Sequence, residues 1–171
     1  MVYPIVKFGN SVLEREADDV HEFDTPELHK FIDDMFESMY AAKGVGLAAP
    51  QIGFGRKIAV IDVSNGENPE DKLVLINPKI VKTEGKQVGE EGCLSIPTFR
   101  EQVRRAKRVT VRAFNAKGEE YEKTGEDLLA RAFQHETDHL YGRLYITHIS
   151  ALKRDLMKRK IKKLQRAGDW D

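Results

Sequence analysis

The segment Gln134-His135-Glu136-Thr137-Asp138-His139-Leu140 carries the residue types needed to activate a water molecule. On a helix, His135 and His139 stand four residues apart on one face and can aim two ring nitrogens at one divalent cation. Glu136 then sits beside the first ligand, where a carboxylate can take a proton from cation-bound water. Two satisfied histidines on a polar helix face would give the same short pattern, so the chemistry depends on a third ligand elsewhere. The longer metalloprotease pattern His-Glu-x-x-His-x-x-Gly-x-x-His fits Gly142 but puts Tyr145 at its last position, with His148 out of phase. A glutamate ligand on a following helix is missing too, because the only acids beyond His139 are Asp155, Asp169 and Asp171.

Cys93 is the sole cysteine, so no internal disulfide framework exists and in a reducing compartment the thiol stays available. A free cysteine is more often an inert, small core residue than a ligand. The setting Glu91-Gly92-Cys93-Leu94-Ser95-Ile96-Pro97, polar and containing glycine, weakens that reading. As a thiolate beside two imidazoles, Cys93 would complete a three-ligand site for Zn(II), Fe(II) or Co(II) with one position left for water. It is the best third ligand the chain offers.

Gly44-Val45-Gly46-Leu47-Ala48-Ala49-Pro50-Gln51-Ile52-Gly53 is a further segment of unusual texture. Its glycines let a ligand's backbone come close, so it could pair edgewise with an extended peptide. Read alone, it is more simply a tight connection between a helix and a strand. It has neither the Gly-Lys-Ser/Thr ending of a phosphate loop nor dinucleotide-binding glycine spacing.

The elements that must position these residues follow from local patterning. Thr25 and Pro26 open a helix whose stripe Leu28, Phe31, Ile32, Met35, Phe36, Met39 and Tyr40 is core and ends before Gly44. Lys57 to Val63 and Leu73 to Ile76 read as buried strands separated by an exposed loop, and Asn77-Pro78 breaks the second before Ile80 and Val81 resume it. Val109, Val111 and Ala113 alternate with polar residues, and Asn115-Ala116-Lys117-Gly118 is a turn from which Glu119 to Lys123 returns antiparallel. Cys93 falls between strands. The histidine helix starts at a Thr124 cap with Asp127 in the capping-box position, buries Leu128, Leu129, Ala132, Phe133 and Leu140, and ends at Gly142. Arg131 and Leu128, one and roughly two turns before His135, flank the metal on the substrate side. Short antiparallel strands with helices at both ends of the chain predict an α+β fold, with antiparallel sheets around the central metal-binding helix.

Composition sets outer bounds. At 171 residues, with 40% hydrophobic and 33% charged, the chain can bury one core, and a single domain over residues 1–171 is expected. Zero formal net charge gives no global attraction to nucleic acid or acidic membrane. The chain contains no long uncharged apolar run, and its N-terminus does not pair a basic region with an apolar one. The expectation is a soluble cytoplasmic protein without a membrane partner.

Three segments, Gly44 to Gln51, Glu91 to Ser95 and Gln134 to Leu140, resemble the signature motifs of the peptide deformylase family in order and spacing. The likeness runs over essentially the whole chain. It implies a metallohydrolase that removes the formyl group from the N-terminal formylmethionine of new polypeptides and releases formate. It also implies Fe(II) as the working metal, with Ni, Co or Zn able to occupy Cys93, His135 and His139. Glu136 would take the water's proton and deliver it to the leaving amine. By family correspondence, the Gln51 side-chain amide and the Leu94 backbone N–H would stabilise the developing oxyanion.

For recognition, Val45, Leu128, the Arg131 stem and Ala132 are expected to line a methionine pocket, with the Arg131 head reaching solvent. The Gly46 backbone would pair with the peptide, and Gly89 falls close to the site. Arg100 either meets the downstream backbone or is a solvated loop residue. Glu91 and Arg105 are either a buried ion pair behind the cysteine loop or two surface charges. Asp138 is expected to anchor the helix, and His21 and His29 to be surface or satisfied histidines.

After a Ser150 cap, residues 150–168 form a basic helix with Lys153, Arg154, Lys158, Arg159, Lys160, Lys162, Lys163 and Arg166, docked by Leu152, Leu156, Ile161 and Leu164. Such a face is usually only solvated. It also suits a phosphate backbone, and the resemblance implies transient docking near the ribosomal exit. Two rival functions share these residues: a general His-Glu-x-x-His metallopeptidase, and a nonenzymatic ribosome-associated module with a structural metal.

Overall fold

In the computed structural model, which describes residues 1–170, three helices and seven strands follow an irregular N-terminal segment. Helix α1 (Pro26–Ala41) starts where expected, with Thr25 accepting from the Leu28 N–H and proline in the first turn. Strands β1 (Gly46–Ala48), β2 (Ile58–Ile61), β3 (Leu73–Glu84), β6 (Arg108–Phe114) and β7 (Glu120–Glu126) form an antiparallel sheet in the order β1-β2-β3-β6-β7. Strands β4 (Gln87–Cys93) and β5 (Ile96–Arg105) form a separate two-stranded sheet.

Period-two alternation on β2 explains why the large sheet is covered on both faces. Ile58 and Val60 pack with Phe31, Met35 and Met39 of α1. Ala59 and Ile61 point the other way, into a cluster with Ala130, Phe133 and Leu140 of helix α2 (Asp127–Leu140). A buried strand of four branched or small residues between two helices gives the metal-binding helix a rigid floor. A third cluster joins β4 and β5 to the N-terminal segment and helix α3 (Ala151–Ala167) through Ile96, Val103, Tyr145 and Ile161.

The α+β class with antiparallel sheets is as expected, but several boundaries differ. Asn77-Pro78 does not divide a strand pair. Strand β3 runs through it with a register shift between Ile76 and Lys79, and the Asn77 side chain bonds both backbone groups of Val20. Thr124 does not cap α2. It lies in β7, with its hydroxyl 2.8 Å from that of Thr110, and the cap position is Glu126 without a side-chain bond. Leu128 is half exposed, not buried, because it sits in the first turn of α2 above the sheet edge. Helix α3 docks through Met157, Ile161 and Leu164, at spacing i, i+4, i+7, whereas Leu152 and Leu156 face outward. Cys93 ends a strand instead of lying between strands.

Candidate active site

The site gathers three pieces of chain. Helix α2 carries His135, Glu136 and His139, and β4 delivers Cys93 from one side. The turn Ala49–Ile52, which follows edge strand β1, delivers Gln51 from the other. The two histidine Nε2 atoms lie 3.2 Å apart, and the Cys93 sulfur is 3.4 Å from that of His139. The three ligand atoms all fall within 4.8 Å of one another, a convergence that accommodates one cation. Two imidazole nitrogens and one sulfur are a donor set for a borderline divalent metal.

Of the two histidines, His135 is held from behind, whereas His139 Nδ1 is buried without a hydrogen-bond partner. His135 Nδ1 is 2.6 Å from Glu91 Oε1, which fixes the ring and leaves Nε2 for a metal, and the ring stacks on buried Tyr145. Glu91 in turn accepts from Arg105 at 2.6 and 3.1 Å and from Arg131 at 2.6 Å. Burial alone would raise the Glu91 pKa, but hydrogen bonds from His135 and Arg105 outweigh it and hold the carboxyl well below its usual range. Arg105 also reaches Asp138 at 2.8 Å, and His148 meets the same Asp138 oxygen at 2.8 Å. Of the two readings left open for Glu91 and Arg105, the buried ion pair holds. Asp138 anchors α2 as expected.

Glu136 is buried, and its Oε1 has no hydrogen-bond partner. Burial pushes its pKa up to about 7 against the pull of His135. Burial likewise opposes charge on His135, but Glu136, Cys93 and Glu91 outweigh it and raise that pKa, while burial and His135 together depress that of His139. A bound cation would compete with the His135 proton for the same negative neighbours. Opposite Glu136, β1 must be glycine at residue 46, since a Cβ there would stand 2.5 Å from Glu136 Oε2.

Gln51 is oriented by the backbone three residues before it. Its Oε1 accepts from the Ala48 N–H at 2.9 Å, which turns the NH₂ toward the site, 3.5 Å from the Cys93 sulfur and 3.3 Å from Ser95 Oγ. A pocket of about 450 Å³ opens in front of these groups. Its walls include Val45, Gly46, Gln51, Cys93, Leu94, Arg100, Leu128, Arg131, Ala132, His135 and Glu136, so every expected site residue but His139 reaches it. His139 lies behind the wall, almost fully buried.

Arg131 departs from expectation. Its head does not reach solvent but turns inward onto Glu91 and the Val103 carbonyl. Gly89 stands against it, with the Cβ position 3.0 Å from Arg131 Nη2. Arg100 is exposed and pairs with Glu90 at 2.6 Å at the rim. His21 is exposed, and His29 bonds Asp24 at 2.7 Å. Sequence reasoning missed Ser95 and Tyr145. The first stood two residues from Cys93 and could have been weighed, but nothing local marked the second.

A histidine pair and a cysteine sulfur meet beside a buried Glu136 with an unpartnered oxygen, at the floor of an open pocket, an arrangement that fits a metal-dependent hydrolase. A family model described as polypeptide deformylase matches residues 2–155. The peptide deformylase of Acidobacterium capsulatum is 60% identical over 170 residues, covering 99% of each chain. The crystal structure of a peptide deformylase from Legionella pneumophila superposes with a TM-score of 0.90 at 41% identity, over 100% of this chain and 99% of that one. The Thermus thermophilus peptide deformylase structure gives 0.86 at 38% identity, covering 95% and 94%. The chain belongs to the polypeptide deformylase family, hydrolases that remove the formyl group from N-terminal formylmethionine.

Proposed function

We propose that deformylation is carried out by Glu136, Gln51 and Leu94 around one divalent cation held by Cys93, His135 and His139, with Fe(II) as the working metal. When bound, that cation supplies Lewis acidity and a nucleophilic water near neutral pH. Glu136 takes the proton as the water oxygen bonds to the formyl carbon, then returns it to the departing amine nitrogen as the C–N bond breaks. Formate and a free N-terminus result. Its buried oxygen without a partner suits a group that must hold a proton between two steps.

Negative charge grows on the formyl oxygen, where the Gln51 NH₂ and the Leu94 N–H act as donors. The methionine side chain enters the wall formed by Val45, Leu128, Arg131 and Ala132, and the peptide extends along edge strand β1 from Gly46, with Arg100 toward the downstream backbone. Main-chain pairing at an edge accepts many sequences, as newly made polypeptides require. The substrates are N-formylmethionyl nascent chains in the cytoplasm. The exposed basic residues of α3, Lys158, Lys162 and Arg166 among them, offer a contact for ribosomal RNA. Charge reversal at these three should lower co-sedimentation with ribosomes, and an unchanged fraction would contradict that contact. No helix among the described residues is long and apolar enough to cross a membrane.

The observation that carries this reading is the convergence of the three ligand atoms beside Glu136. An anaerobic preparation should contain one metal per chain and release formate from formyl-Met-Ala-Ser. Glu136→Ala should keep the metal and lose turnover. Retained turnover in that variant would contradict the proton-transfer role. Comparable hydrolysis of the acetylated peptide would contradict selectivity for the smaller acyl group.

A further inference from the structure

We propose that Arg131 is a positioning residue for the metal ligand His135, acting through Glu91. This rests on the reading that Cys93, His135 and His139 hold the cation. The Glu91 carboxylate is almost fully buried, as are the guanidiniums of Arg105 and Arg131 that meet it. Its Oε1 is committed to His135 Nδ1 at 2.6 Å and to Arg105 Nη2 at 2.6 Å. Its Oε2 takes Arg131 Nη1 at 2.6 Å, while the second bond to that oxygen, from Arg105 Nε, is longer at 3.1 Å. Arg131 is thus the short anchor on one oxygen, and His135 depends on the other.

The charges make the arrangement self-consistent. Arg105 is shared between buried Glu91 and half-buried Asp138, which His148 also meets, so Arg131 supplies Glu91 with a second guanidinium. Removing Arg131 leaves buried Glu91 with Arg105 as its one guanidinium and strips Oε2 of its shorter bond, so the carboxylate can turn to shorten the remaining 3.1 Å bond from Arg105 Nε. Here such a turn would take Oε1 off His135 Nδ1 and free the ring to rotate. Arg131 comes from the pocket wall, one helical turn before His135, and its Nη1 is also fixed by the Val103 carbonyl at 3.2 Å. Gly89 makes room for it, since a methyl there would stand 3.0 Å from Nη2. A guanidinium that served only as apolar wall would turn its head to water.

The test uses the full chain, loaded anaerobically with Co(II), and compares wild type with Arg131→Met, Arg131→Lys and Gly89→Ala. Arg131→Met keeps an unbranched side chain in the wall without donors, and Gly89→Ala displaces the guanidinium while leaving its charge. Release of Co(II) to a chelator should be faster by about 10–100-fold in Arg131→Met, the usual scale for losing a group that orients a ligand. The Co(II) absorption bands should shift, kcat should fall and KM should change little. Arg131→Lys and Gly89→Ala should fall between it and wild type. If Arg131→Met does not fold, the lysine and alanine variants carry the same comparison. Unchanged release and spectra in the folded variants, with any effect confined to KM, would overturn the proposal and leave Arg131 as wall. A wild type that binds no cobalt would instead overturn the metal-site reading beneath it.

Discussion

At the scale of single residues, the site works by close approach. Gly46 exists because the Glu136 carboxylate lies where a side chain would be, and neither residue can move far, one being in a paired strand and the other in a buried helix. Gly46→Ala should therefore push the carboxylate off its position without touching the metal ligands. We expect formate release to fall steeply while metal content stays at the wild-type value, measured on one preparation. Full activity in that variant would mean that the position of Glu136 has no bearing on the reaction. Gln51→Ala should cost about 10²–10³ in kcat, the scale of one lost oxyanion donor. A change smaller than threefold would remove Gln51 from that role. The convergence of His135 and His139 beside Glu136 was legible in the sequence because their spacing on a helix sets it, whereas Cys93 was reached only by excluding other third partners. The path of the Arg131 side chain was not legible, because its direction depends on Glu91, forty positions away on strand β4.

At the scale of elements, helices were easier to read than the sheets that hold them. Helix α1 announced its cap, its proline and its stripe, and all three hold. The β4–β5 hairpin went unread because its strands alternate charges and glycine with few apolar residues, and two of its charged side chains, Glu91 and Arg105, face a buried ion network instead of water. Helix α3 shows how a charge-rich sequence hides its docking face, since Leu152 and Leu156 look equivalent to Ile161 until packing decides between them. Ile161→Ala should destabilise by about 2–5 kcal/mol, as large-to-small core changes do, while Leu156→Ala should stay within about 0.5 kcal/mol. Chemical denaturation separates these outcomes. The loop after β2 is organised by buried Asp62, which accepts from the Ser64 hydroxyl at 2.6 Å, from the Ser64 and Gly66 amides at 3.0 Å each, and from Tyr40. Burial opposes its charge, but these bonds outweigh it and hold the Asp62 pKa below the usual carboxylate value. A depressed carboxyl adds stability above its unfolded pKa and loses it as pH falls through the folded one. Asp62→Asn should accordingly flatten the acid side of the stability profile. An identical acid slope in wild type and variant would show that Asp62 contributes none of it.

At the scale of the whole molecule, the two sheets have separate tasks. The five-stranded sheet supports α2 from below and supplies edge strand β1, while the small sheet brings Cys93 and Glu91 to the helix from the side. The cation site therefore lies where parts distant in sequence must close on one another, and metal loading should stabilise the fold as well as enable the reaction. The most direct measurement is X-ray absorption at the metal edge of anaerobically purified protein. One sulfur and two imidazole nitrogens in the first coordination sphere is the predicted result, with the sulfur lost in Cys93→Ala. A sphere of nitrogen and oxygen alone in the active wild type would contradict it.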